Sequence, residues 1–183
     1  MLKMQLDPHF LFNSLNILIG IVHTSPDDAE KFIIRLSRIY RYIIKSIEQD
    51  LVLVNNAINF AVDYVALLNI RFPNKIDFQV DASVGQNNYD YIPVMSLQLL
   101  IENAVKHNIP DDNGKLSIRI FRKDKNLIVR NSINKTEDFN SKDSFGLGLK
   151  NIYERYRILG ERSPQIRNTE NFFEVELPIT QKK

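Results

Sequence analysis

The chain contains no cysteine, which excludes disulfide bonds and thiolate metal sites and permits a reducing compartment. Long apolar runs are missing as well. The most apolar stretch, Ile17 to Val22, is far shorter than the roughly 20 residues that a membrane-spanning helix needs, and no signal peptide is evident. Neither charge sign dominates: 24 basic and 22 acidic residues leave a net charge of +2. That offers no concentrated basic face, so direct contact with nucleic acid is not expected. Internal repeats and low-complexity segments are lacking too. What is present, 44% hydrophobic and 25% charged residues in a chain of 183, is ordinary for a folded protein and fits one domain or two small ones. A cytosolic location is expected, including as the cytosolic part of something larger.

Near the N-terminus, Leu11, Leu15, Leu18 and Val22 recur at helical spacing, while His9, Asn13, Asn16 and Gly20 follow the same rhythm on another face. Asp7 as cap and Pro8 in the first turn mark the helix start. The helix stops at Thr24-Ser25-Pro26-Asp27-Asp28. There Ser25 is expected to cap a second helix, with Pro26 at its first position and Asp27, Asp28 and Glu30 complementing its dipole. In that helix Ile33, Leu36, Tyr40, Ile43 and Ile47 form the apolar stripe, and Arg35, Arg38, Arg41 and Lys45 stay polar. Two such helices make a hairpin, and two hairpins can dimerise into a four-helix bundle.

The helical signal breaks around Asp50, so a boundary is expected near residues 48 to 54. A third helix is predicted from Asn55 to Arg71, with Ile58, Val62, Val65 and Leu68 in phase, and a strand at Ile76 to Val80. Ser96 to Asn108 is strongly helical. Leu116 to Arg122 and Asn126 to Asn131 form a hairpin of strands, and Ser132 to Ser144 a polar loop. A helix from about Leu147 to Leu159 and a strand from Phe172 to Leu177 complete the pattern. The fold class expected is α+β: an N-terminal helical hairpin, then an α/β sandwich with one antiparallel-rich sheet covered by helices on one face.

Three strings carry chemistry. In Gln5-Leu6-Asp7-Pro8-His9-Phe10-Leu11-Phe12-Asn13, His9 stands where a helix dipole is positive. That field disfavours the imidazolium and keeps a nitrogen lone pair free for attack on phosphorus. Asn13, one turn on, is placed to orient the ring or hold a phosphate oxygen. A lone histidine on a helix beside Phe10 and Phe12 is more often structural. In Leu97-Gln98-Leu99-Leu100-Ile101-Glu102-Asn103-Ala104-Val105-Lys106-His107, the Asn103 amide is a hard oxygen ligand of the kind Mg²⁺ accepts beside nucleotide phosphates. Lys106 and His107 follow one turn later, although the same string also suits an ordinary core helix. In Phe145-Gly146-Leu147-Gly148-Leu149, glycines before a helix let backbone amides approach phosphate, a weak signal when taken alone.

Together and in this order the strings resemble those of LytS-type sensor histidine kinases, over nearly the whole chain. The resemblance implies a dimerisation and phosphotransfer hairpin over 1–48 and a Bergerat-type ATP-binding domain over 55–180. His9 would be the phosphorylated residue, with Asn13 beside it. ATP would be held by Asn103, Lys106, His107, Asn131, Gly146, Gly148 and Leu149, and Mg²⁺ by Asn103. The implied partners are a second copy of the chain, a response regulator receiver domain that accepts the phosphoryl group on an Asp, and an upstream membrane sensor region. Hydrolytic relatives in the wider superfamily carry a water-activating Glu four residues before the metal-binding Asn; here Leu99 stands there, which disfavours a hydrolysing ATPase. Two positions depart from the family pattern. The adenine-facing Asp is replaced by Asn131, and Asn171-Phe172 stands where a Gly-Thr pair is usual. Of these, Asn131 favours a rival reading, a degenerate nucleotide-binding or dimeric interaction module without kinase activity.

Overall fold

The computed structural model describes residues 8–108, 114–133 and 147–181. Two helices, α1 (Pro8–Ile21) and α2 (Pro26–Ser46), form the expected hairpin. Ser25 takes the cap position of α2, with Pro26 behind it, but its hydroxyl donates to Asp28 Oδ2 at 2.7 Å and makes no side-chain cap bond to a backbone amide. The rest follows as β1 (Leu51–Leu53), α3 (Val54–Arg71), β2 (Ile76–Val80), β3 (Asp90–Pro93), α4 (Ser96–Asn108), β4 (Leu116–Lys123), β5 (Asn126–Ser132), α5 (Leu147–Ile158), β6 (Gln165–Asn168), β7 (Phe172–Pro178) and β8 (Thr180–Gln181).

The α+β expectation holds, with one correction: among the described residues there are two sheets where one was expected. The larger has the order β2-β4-β5-β7-β6, with β2 parallel to β4 and every other pair antiparallel. The smaller joins β1, β3 and β8. Its strands are two to four residues long, too short for alternation to register in sequence. In the larger sheet Leu116, Ile118 and Ile120 alternate with polar residues and are fully buried, and Leu127, Val129, Val175 and Leu177 continue that layer. Helices α3, α4 and α5 cover this face. Tyr156 of α5 is buried in it and donates to the Pro178 carbonyl at 3.0 Å.

The apolar stripes of the hairpin are rotated from their predicted places. On α2 the buried residues are Ala29, Phe32, Leu36, Ile39 and Ile43, whereas Ile33 and Ile47 are 50% and 59% exposed. On α1 it is Phe10, Ile17, Leu18 and Ile21 that pack inward, while Leu11 and Leu15, and Val22 just past the helix end, are exposed. Val62 of α3 is exposed too. Both hairpin helices carry apolar residues on more than one face, and periodicity alone does not say which face α3 covers. Arg35 of α2 secures the contact through Asp63 of α3, Nη1 to Oδ1 2.8 Å. Tyr42 stacks on Phe60 with ring centroids 4.5 Å apart, and burial pushes its hydroxyl up to about 12.

Candidate functional site

Asn103 lies on α4, whose alternating sides pack against α3 and α5. Its half-buried side chain rests on the first turn of α5: a Cβ added to Gly148 would stand 3.1 Å from Asn103 Nδ2 and 3.4 Å from Oδ1. Nδ2 is buried and has no hydrogen-bond partner among the described residues. Beside it opens a cleft of about 510 Å³, part of it solvent, lined by Asn103, Ala104, His107, Asn131, Leu149 and Phe173, with Asn108, Ile133 and Asn168 completing the wall.

Three neighbouring strands supply the sheet side of this cleft. Asn131 of β5 pairs with Phe173 of β7, which pairs in turn with Asn168 of β6. Asn131 is 5% exposed, and its Nδ2 donates to the Ser132 carbonyl at 2.8 Å. Asn131 lines the cleft, and its amide oxygen is able to accept a hydrogen bond. Phe173 adds an apolar ring of the kind a planar base packs against. His107 stands at the exposed end of α4, and burial first and the Lys106 charge second hold its imidazole below the ordinary range. It is therefore neutral at pH 7.

The structure thus gathers Asn103, His107, Asn131, Gly148 and Leu149 at one place. Lys106 does not join them; it is exposed and absent from the lining. A helix turns about 100° per residue, so His107 at the fourth position after Asn103 lies more nearly above it than Lys106 at the third. Asn13 is half-buried on α1, also outside the cleft lining. His9 is the second residue of α1, and its side chain lies outside what is described. Gly146 lies outside the described residues, as does most of the predicted loop.

Sequence reasoning missed Asn108, Ile133, Asn168 and Phe173. Phe173 was findable, since it shares the inward alternation of Val175 and Leu177; Asn168 was not, because β6 shows no alternating pattern. Glu102 turns from the cleft towards α3. Its Oε1 accepts from Gln98 Nε2 at 2.7 Å and from the Tyr64 hydroxyl at 3.4 Å.

The chemistry of the donor set suits a magnesium nucleotide. Among the described residues no cluster of three or more His, Cys, Asp or Glu side chains is placed to cage a metal. A single amide oxygen matches Mg²⁺ bound mainly through phosphates and water, since that ion keeps several waters and needs few protein ligands.

Residues 1–76 match the protein-family model described as Histidine kinase. The chain is 34% identical over 119 residues, 65% of its length, to an uncharacterized sensor-like histidine kinase of Staphylococcus epidermidis. It is 33% identical over 128 residues, 70% of its length, to the sensor protein kinase HptS of Staphylococcus aureus. Those stretches are 23% and 24% of the two proteins, so the chain spans about a quarter of the length of the curated relatives it matches. Among solved structures, the cytoplasmic segment of histidine kinase QseC aligns with a TM-score of 0.50 and 16% identity, covering 74% of this chain and 81% of that one. At that identity the likeness concerns the fold. Among the described residues no helix is long and apolar enough to cross a membrane. The family these matches support is that of the histidine kinases, and the fold is like that of the QseC cytoplasmic segment.

Proposed function

We propose that the chain is the catalytic core of a LytS-type sensor histidine kinase, with phosphotransfer hairpin 1–48 and ATP-binding domain 55–180. ATP binds in the cleft between α4, β5 and α5, the phosphoryl group moves to His9, and an Asp of a response regulator receiver domain then accepts it. The single observation that carries this reading is the convergence of Asn103 and His107 of α4, Asn131 of β5 and Leu149 of α5 on one cleft, with Gly148 packed beside Asn103, from three elements far apart in sequence.

In this mechanism Asn131 Oδ1 accepts from the exocyclic amine of the base, and Phe173 packs against its plane. The glycine-rich turn lets backbone amides approach the phosphates. Asn103 would hold Mg²⁺, which when bound neutralises phosphate charge. His9, as the neutral imidazole, would donate a nitrogen lone pair to the γ-phosphorus in line. The new N–P bond forms as the bond from phosphorus to the bridging oxygen breaks, and ADP leaves with that electron pair. Positioning and charge neutralisation supply most of the acceleration.

Dimerisation is part of the proposal. Leu15 and Ile19 of α1 with Val22 just past its end, and Ile33 and Ile44 of α2 with Ile47 at its C-cap, are 40–70% exposed, an apolar surface that the hairpin of a second copy would cover. Attachment to an upstream membrane sensor, with this chain on the cytoplasmic side, completes the reading. The rival, a nucleotide-binding module without kinase activity, is favoured by one observation: Asn131 is a neutral acceptor where the family places a carboxylate.

Incubation with Mg²⁺ and γ-labelled ATP distinguishes the two. The kinase reading expects an acid-labile, base-stable phosphate that His9→Gln abolishes while nucleotide binding persists. Nucleotide binding with no such label would favour the rival; a label surviving His9→Gln but lost in His23→Gln would move the nucleophile.

A further inference from the structure

An aromatic file runs across the hairpin and into the α/β part of the same chain. Tyr42 of α2 stacks on Phe60 of α3, Phe60 on Tyr64 at 5.7 Å, and Tyr64 meets Phe10 of α1 at 5.3 Å with the rings 34° apart. Tyr64 is 6% exposed, and its hydroxyl reaches Glu102, which Gln98 also holds. Phe10 directly follows His9, and Glu102 directly precedes Asn103. Neighbouring Cα atoms are about 3.8 Å apart, so the backbone of His9 and that of Asn103 each lie one residue from the ends of the Phe10–Tyr64–Glu102 contact. Successive helix positions differ by about 100°, so the Glu102 side of α4 adjoins the Asn103 side.

We propose that Phe10 and Tyr64 are positioning residues that seat the first turn of α1 on α3 of the same chain, whose Tyr64 in turn reaches Glu102 of α4, so that His9 takes its phosphoryl group from the nucleotide bound by its own chain. This rests on the kinase reading above. Phe10 touches neither nucleotide nor reacting atoms; it acts through the place it gives to His9. A dimer then holds two independent transfer units, and the partner copy lends neither acceptor nor nucleotide.

The test uses pairs of full chains carrying two different tags, co-expressed and isolated through both. An unaltered chain paired with the double variant His9→Gln, Asn103→Asp should keep about half the label of the unaltered pair. A His9→Gln chain paired with an Asn103→Asp chain should show background only. The reverse pattern, label in the second pair and none in the first, overturns same-chain transfer. If the tags never co-purify, a labelling rate per chain that is independent of concentration supports the proposal, and a rate that rises with concentration overturns it. Absence of label in the unaltered protein would sink the kinase reading itself, a separate failure. For the seat, Phe10→Ala should slow labelling at saturating ATP by roughly two- to tenfold, the range expected for losing one aromatic pair, with KM for ATP unchanged. Phe10→Tyr should restore the rate. An unchanged rate in Phe10→Ala, a change confined to KM, or no rescue by the tyrosine would remove Phe10 from that role.

Discussion

Gly148 and Asn103 are in contact because neither needs room for anything between them: a single added Cβ on the glycine would stand 3.1 Å from the amide nitrogen. The contact joins the first turn of α5 to α4, the helix that carries Asn103. Each of two distant strings is thereby incomplete without the other.

Gly148→Ala separates stability from binding. Alanine is the better helix former by up to about 1 kcal/mol, and Asn103 must shift a few tenths of an ångström to admit it. The variant should melt no lower than the unaltered chain yet bind Mg²⁺-ATP several-fold more weakly, on the order of 1 kcal/mol. Calorimetric melting and titration with ATP would check both signs; unchanged affinity would mean that the Asn103 position is not critical.

Asn103→Asp and Asn108→Asp should fail in different ways. At Asn103 no hydrogen bond of the described structure is lost, so the fold should persist while the new charge disturbs phosphate binding. Asn108 is 7% exposed and donates to the Ala104 carbonyl at 3.0 Å. A carboxylate there loses that bond and is itself buried, costing about 1–3 kcal/mol of stability. Urea denaturation alongside ATP titration separates the two effects, and weakened binding with full stability in Asn108→Asp would contradict this assignment.

Asn131→Asp trades one interaction for another. A charged acceptor should tighten ATP by up to about fivefold, roughly 1 kcal/mol, and sharpen discrimination against GTP. The bond from Nδ2 to the Ser132 carbonyl disappears, so stability should drop by about 1 kcal/mol. Isothermal titration with both nucleotides, supported by melting curves, gives the answer. Unchanged affinity for both in a folded variant would show that Asn131 does not face the base.

The His107 imidazole is held below its ordinary value by burial and by Lys106, so in the unfolded chain it binds a proton at higher pH. As pH falls below about 6.5 the unfolded state is protonated first, and the folded chain loses stability until its own lower value is passed. His107→Gln should remove this component. The stability of the unaltered chain relative to the variant should therefore decline between about pH 7 and pH 5. Parallel curves from denaturant titrations across that range would refute the shift.

Tyr156→Phe should cost about 1–3 kcal/mol, because the buried Pro178 carbonyl then lacks its donor. Denaturant unfolding measures it. A loss under about 0.5 kcal/mol would show that water reaches that carbonyl.

How much of this was legible beforehand follows from the range of each signal. The sequence alone determined α1 to α5 and the hairpin of β4 and β5, and it singled out Asn103, Gly148, Leu149 and Asn131, which the fold then brings together. Those are local patterns: periodicity over ten or more residues, caps, and short strings whose chemistry is contained within them. It did not determine which face of α1 and α2 is buried, because two apolar faces compete and only α3 decides between them. Nor did it reveal β1, β3, β6 and β8, which exist through pairing with strands distant in the chain. Lys106 was grouped with His107 by proximity along the chain, and helical geometry parted them. Asn168 and Phe173 reached the cleft through the registers of β6 and β7. Tertiary structure alone decided those positions, since a strand register and a covered helix face are properties of two elements and not of either one.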